Sequence, residues 1–230
     1  MPNINQKIIA LVGPTGSGKT KWAKKLAIKF NGRVISADSR QIYRGMDIGT
    51  GKDKSFKQDL IDILEPVKKF TLHDYQQLAN NLINQYFRMK TLPILCGGTG
   101  LYLYAVLYGY VIPGIQKQSD TLRRKLEKLP ESKLYEKLAK LDPQAAFKID
   151  PKNKRRIIRA LEVTILAKEP FSRLQRTAKP KFNALIIGIQ TDRQTLYSKI
   201  DARIDQMIKE GLIEEVRGLL EKYGTKQSDI

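Results

Sequence analysis

Gly13-Pro14-Thr15-Gly16-Ser17-Gly18-Lys19-Thr20 decides the fold. It satisfies G-x-x-x-x-G-K-[ST] without a gap, and it follows the apolar run Lys7–Val12 and opens the helical pattern Lys19–Phe30. Strand, glycine-rich loop and helix in that order form a phosphate cradle. Glycines let backbone N–H groups converge on an anion, and the helix N-terminus adds partial positive charge. Gly13, Thr15, Gly16, Ser17 and Gly18 form the cradle, Lys19 reaches phosphoryl oxygens, and the Thr20 hydroxyl is suited to ligate Mg²⁺. The loop predicts binding of a diphosphate or triphosphate, without saying which reaction uses it.

Outward from the loop, apolar runs alternate with helical periodicity. Arg33–Ala37 reads as a second strand, Leu60–Leu64 as a third, Tyr75–Met89 as an amphipathic helix, Leu92–Cys96 as a buried strand, and Leu101–Tyr108 as an aromatic-rich helix. Near-continuous apolar strands separated by helices predict a parallel sheet covered on both faces. Between Asp120 and Lys168 no strand is evident. Helical patterns occupy Asp120–Leu129, Ser132–Leu141, Pro143–Ile149 and Lys152–Lys168, after which Ala184–Ile189 regains strand character. Helices over Arg193–Glu210 and Ile213–Tyr223 follow. The expected fold is α/β: a P-loop NTPase-like parallel sheet with helices on both faces, spanning 1–113 and 180–230, and an inserted helical lobe at 114–179.

Composition narrows the chemistry. The 230 residues carry 42 Lys+Arg against 23 Asp+Glu, a formal net charge of +19. That surplus suits a polyanionic partner, though a lysine-rich surface alone produces the same number. One cysteine, Cys96, and one histidine, His73, exclude a disulfide framework, a thiolate zinc cluster and a multi-histidine metal site within this chain. Cys96 reads as a small buried hydrophobe and His73 as structural. No stretch is apolar enough to span a bilayer, and Met1–Lys7 lacks the features of a signal or transit peptide, so a cytoplasmic location is expected.

Beyond the loop lies Ser36-Ala-Asp38-Ser39-Arg40-Gln41-Ile-Tyr-Arg-Gly-Met-Asp-Ile-Gly-Thr50. Asp38 stands at the end of the second strand, near the loop in a parallel sheet. A carboxylate there is suited to accept a proton, to bind Mg²⁺ through water, or to cap the next turn. Gln41 has the amide geometry to read an adenine edge. This run resembles the signature following the phosphate loop in bacterial-type tRNA dimethylallyltransferases. Leu95-Cys-Gly-Gly-Thr99-Gly-Leu-Tyr102, Asp142-Pro-Gln-Ala-Ala, Arg155-Arg156-Ile-Ile-Arg159-Ala-Leu-Glu162-Val, and Arg203-Ile-Asp-Gln-Met207 with Gly211 and Glu215-Val-Arg217 are similar to further motifs of that family, in family order.

The resemblance implies transfer of a dimethylallyl group from dimethylallyl diphosphate to the exocyclic N6 amine of the adenosine 3′ of a tRNA anticodon. The phosphate loop would then serve the donor's diphosphate, with Mg²⁺ as cofactor. Asp38 would be the base or acceptor for the amine, and Thr99 and Arg203 would bind the departing diphosphate with Lys19. Asp38, Ser39, Arg40 and Gln41 would meet the tRNA at the reacting base, and Arg155, Arg156 and Arg159 its backbone. Lys179 and Lys181 extend that basic stretch, and Tyr102 and Tyr104 are suited to stack on bases, to line the donor channel or to pack in the core. A monomer is the default expectation. Family members continue past the position of Ile230 with a Gly-Tyr-containing helix and a basic segment, and commonly carry a histidine where Gln58 and Asp59 stand here. A small-molecule kinase with an Arg155-Arg156 lid, an adenylate isopentenyltransferase and a catalytically silent RNA-binding protein are the alternatives.

Overall fold

The computed structural model describes residues 6–109, 119–174 and 180–224, and the chain divides into two compact units, Met1–Gly109 with Lys179–Ile230, and Tyr110–Ala178. The boundary expected at Pro113 and Gly114, and Lys179 of the basic stretch, lie outside the described residues.

The first unit is built on five parallel strands, β1 (Lys7–Val12), β2 (Gly32–Ser36), β3 (Gln58–Asp59), β4 (Leu92–Cys96) and β5 (Asn183–Gly188), in the order β3-β2-β4-β1-β5. Side chains alternate across a strand. Ile8 and Ala10 therefore join one core with Ile35 and Leu95, beneath α2 (Leu72–Arg88) and α3 (Gly100–Tyr108). Ile9 and Leu11 join the opposite core with Val34, Ile94 and Ala23 of α1 (Lys19–Lys29). Burial on both faces explains why β1 and β4 read as unbroken apolar runs.

Three details depart from the sequence reading. The third strand is Gln58–Asp59, displaced from Leu60–Leu64. Leu60 and Asp62 adopt φ of 61° and 54°, a left-handed conformation that ends a strand, and only Leu64 returns to pairing, as an isolated bridge to Tyr43. Helix α2 begins three residues before Tyr75, because Thr71 and Asp74 form a reciprocal capping box that places His73 in the first turn. Two-sided covering fails at β5. As an edge strand with one neighbour it leaves Leu185 and Ile186 exposed, at 61% and 45%. The helices that follow, α9 (Arg193–Lys209) and α10 (Leu212–Tyr223), bury little; Leu219 is their one buried residue.

The second unit is helical: α4 (Asp120–Glu127), α5 (Glu131–Leu141), α6 (Pro143–Lys148), α7 (Lys154–Ala167) and a short α8 (Phe171–Leu174). Its core gathers Leu126, Leu134, Leu138, Ala145, Ile157 and Leu161. Two polar anchors brace it. The buried Asp142 caps α6 by accepting from Ala145 N–H at 3.0 Å, and also accepts from the N–H and hydroxyl of Ser172, both at 2.7 Å. Burial acts to raise the Asp142 carboxyl, but the hydrogen bonds from Ser172 and the α6 backbone outweigh it and hold the carboxyl below its usual value. The buried Glu162 is met by Arg123 at 3.4 Å and Arg159 at 3.6 Å.

Candidate active site

The glycine-rich turn leaves β1 at Gly13 and enters α1 at Lys19. Gly16 and Gly18 take φ of 81° and 83°, and the N-terminus of α1 has neither a side-chain cap nor an acidic residue in its first turn. Its amide groups therefore face the loop without a competing carboxylate. Lys19 folds back on the cradle, its ammonium donating to the carbonyls of Gly13 at 2.8 Å and Pro14 at 2.7 Å. Burial depresses its pKa, with the positive charge of Arg203 acting in the same direction and Asp38 and Cys96 opposing. Ser17 carries a buried hydroxyl with no hydrogen-bond partner among the described residues, next to Gly13.

The glycine-rich loop borders a cavity of about 360 Å³. Thr15, Gly16, Gly18, Lys19 and Thr20 form one wall, Asp38 and Gln41 another, and Arg203 a third. Gly13, Ser17, Ser39, Arg40 and Thr99 stand outside the lining. Thr99, expected at the departing diphosphate, ties the tips of β2 and β4 together. Its hydroxyl oxygen accepts from Ser39 N–H at 3.0 Å, and its own N–H donates to the Ala37 carbonyl at 3.0 Å. The two tips approach so closely that a Cβ on Gly97 would lie 2.2 Å from the Ala37 carbonyl.

Asp38 is half-buried, with one carboxylate oxygen accepting from Arg40 N–H at 2.9 Å. The carboxylate thus caps its turn while still facing the cavity. The Gln41 amide is fixed at both ends: its oxygen accepts from the Ser36 hydroxyl at 3.1 Å, and its nitrogen donates to the Thr50 carbonyl at 3.2 Å. Tyr102 packs in the core against Tyr75, ring centroids 3.9 Å apart, and burial pushes its phenol up to about 12. Tyr104 stacks on Tyr108 at 4.9 Å.

Sequence reasoning missed several cavity residues. Lys199 also lines it, one helical turn before Arg203, and the four-residue spacing on an amphipathic helix carried that signal. Thr50 enters from the last position of the quoted signature and Gly51 and Asp53 from just after it, where irregular backbone gives no periodicity to read. Cys96 is buried as expected and also borders the cavity; burial raises its thiol to about 11, so it stays protonated. Gln58 and Asp59, standing in the histidine position, are both engaged: Gln58 donates to the Asp53 carbonyl at 2.8 Å, and Tyr86 donates its hydroxyl to Asp59.

For Mg²⁺, Thr20, Asp38 and Asp53 face one cavity. Among the described residues no three His, Cys, Asp or Glu side chains are placed to hold a metal ion together. In the helical unit, Arg155 and Arg156 are exposed on α7, whereas Arg159 is half-buried against Glu162. Among the described residues no helix is long and apolar enough to cross a membrane.

Comparison with known proteins identifies relatives of the chain. The family model described as IPP transferase matches residues 41–230, and that described as isopentenyl transferase matches residues 6–62. The tRNA dimethylallyltransferase of Chloroflexus aurantiacus is 45% identical over 224 residues, covering 94% of this chain and 75% of the relative. That of Halalkalibacterium halodurans is 42% identical, covering 95% and 73%. The crystal structure of full-length tRNA isopentenylpyrophosphate transferase from Bacillus halodurans superposes with a TM-score of 0.66 at 41% identity, over 95% of this chain and 71% of that one. A eukaryotic dimethylallyltransferase acting on tRNA gives 0.85 at 28% identity, over 95% and 57%. The match to the IPP transferase model over residues 41–230, with relatives 45% and 42% identical over nearly the whole chain, places the chain in the IPP transferase family, among the tRNA dimethylallyltransferases.

Proposed function

We propose that the chain transfers a dimethylallyl group from dimethylallyl diphosphate to the N6 amine of the adenosine 3′ of the anticodon in tRNA, releasing diphosphate. The observation that carries this reading is the union, around one cavity, of a diphosphate cradle with Asp38. A cradle with a carboxylate also serves kinases; alkylation of a weakly nucleophilic aryl amine is favoured here because the chain matches the IPP transferase family over residues 41–230.

The donor's diphosphate lies on the amides of Thr15–Thr20, where Lys19 exchanges its two carbonyl partners for phosphoryl oxygens. Lys19 and Arg203, joined by Lys199, meet negative charge as the bond from carbon to oxygen breaks. Mg²⁺, held by Thr20 and the donor's phosphates, would supply further neutralisation of that charge. The adenine is drawn out of its stack into the pocket. There the free edge of the Asp38 carboxylate takes the amine proton while Arg40 N–H holds its other oxygen. Exposed Arg155 and Arg156 meet the RNA backbone and position it without reading sequence. On this reading the chain acts as a monomer in the cytoplasm.

The test is mass spectrometry of an unmodified anticodon stem-loop incubated with the chain, Mg²⁺ and dimethylallyl diphosphate. One added prenyl mass on the loop adenosine, absent with Asp38→Ala, is the expected result. Equal prenylation of free AMP would move the assignment to an adenylate isopentenyltransferase, and ATP turnover with a nucleoside in its place would move it to a kinase.

A further inference from the structure

The segment Asp47–Gly51 makes an arrangement that nothing in the site's chemistry requires. The Glu215 carboxylate, on α10, accepts three consecutive backbone N–H groups: Asp47 and Ile48 at 2.7 Å through one oxygen, Gly49 at 3.0 Å through the other. A charged acceptor holding three successive amides fixes the path of a loop far more firmly than one neutral hydrogen bond. The same loop is stitched internally, Gly51 N–H donating to the Ile48 carbonyl at 2.8 Å, and laterally by Gln41 at Thr50. Beneath it the fully enclosed Lys52 ammonium donates to Asp47 at 2.9 Å.

The loop ends on Arg203. Gly51 has φ of 57°, and a Cβ there would lie 1.4 Å from one terminal guanidinium nitrogen of Arg203 and 2.6 Å from its central carbon. Its three nearest heavy atoms all belong to that guanidinium. The arginine is therefore seated on bare backbone. Its long side chain has several rotamers open to it, and an opposing surface that fits only one of them removes that freedom before the anion arrives.

We infer that Glu215 and Gly51 are positioning residues: the carboxylate on α10 locks the Asp47–Gly51 loop, and the loop's glycine seats the Arg203 guanidinium at the diphosphate cavity. The inference rests on the proposed transfer for its kinetic readout, although binding of diphosphate tests it independently.

The experiment is a pair of double-mutant cycles on the full chain. Glu215→Gln replaces one acceptor oxygen by an NH₂ that cannot receive the loop amides. Gly51→Ala puts a methyl where the guanidinium sits. Each is made in the wild-type and in the Arg203→Ala background. Affinity for inorganic diphosphate is measured by calorimetry, kcat and KM for the prenyl donor are measured on the stem-loop, and melting temperature is followed in parallel. With Arg203 present, each change is expected to weaken diphosphate affinity and kcat/KM by about 10- to 100-fold, the scale of an ångström-level misplacement. With Arg203→Ala, the same changes cost less than about twofold, because the group they position is gone.

Equal losses in both backgrounds, or none in the wild-type background, overturn the inference. If Glu215→Gln does not fold, the Gly51→Ala cycle decides alone, since the added methyl meets Arg203 first. A wild-type chain that binds diphosphate but prenylates nothing would sink the proposed activity, while the affinity cycle would still decide this inference.

Discussion

Asp38 holds one oxygen on the Arg40 amide and lines the cavity. Of the three roles that the sequence left open, capping is thus compatible with proton acceptance or with binding Mg²⁺ through water. Asp38→Ala is expected to lower kcat by about 100-fold or more, the usual contribution of a positioned base, with stem-loop affinity changed less than about twofold. Stopped-flow turnover and filter binding on one preparation check both numbers. Lys19 is different in kind. Its ammonium is already satisfied by two carbonyls, so the diphosphate gains only the excess of a charged contact over those bonds. Lys19→Ala is expected to weaken inorganic diphosphate by about 2–3 kcal/mol, roughly 30- to 150-fold, measured by calorimetry. Gly97 is set by contact alone. Gly97→Ala drives a methyl into the Ala37 carbonyl and should destabilise the core unit by about 2–3 kcal/mol in urea unfolding, with loss of transfer activity.

At the scale of the element, the motifs of the helical unit divide into braces and exposed charges. Asp142 is a brace that receives hydrogen bonds from α6 and from Ser172. Its folded pKa lies below the ordinary 3.8, so its stabilisation is fully present above pH 4. It is lost as pH falls through the folded value, where the unfolded chain has already taken up the proton. Asp142→Asn should remove that acid-dependent part, and Asp142→Ala should cost about 2–3 kcal/mol from the lost cap and charged hydrogen bonds. Helical ellipticity followed from pH 7 to pH 2 distinguishes the two variants. On α7, Arg159 faces Glu162 while Arg155 and Arg156 face water. Arg156→Ala is expected to weaken stem-loop binding and to shorten its logarithmic salt slope by about one. Arg159→Ala should instead lower the melting temperature, because it leaves a buried carboxylate with one fewer partner.

Across the whole molecule, 42 basic against 23 acidic residues make a chain whose affinity for RNA should fall steeply with salt. Diphosphate binding within a half-enclosed cavity should fall less steeply. Comparing the two slopes on one protein separates general attraction from the built site. Nearly equal slopes would mean that the cavity adds little beyond surface charge.

The sequence by itself determined the phosphate loop, the parallel α/β class and the family. Each rests on local or periodic signals: glycines at fixed offsets, apolar runs of strand length, and motifs in order. It also determined that Asp38 follows a strand end close to the loop, because parallel topology brings strand ends together. Only the tertiary structure decided what those residues touch. Thr99 braces two strand tips where Gly97 lets the strands close to contact. Leu60 and Asp62 leave the sheet because a left-handed turn, invisible to hydropathy, intervenes. Arg159 turns inward to Glu162 although helical spacing left it equally suited to solvent. Glu215 meets a loop more than 160 positions earlier in the chain. Sequence patterns record which face of an element is apolar. Which distant backbone a charged side chain meets depends on how the elements stack, and that is fixed only when they fold together.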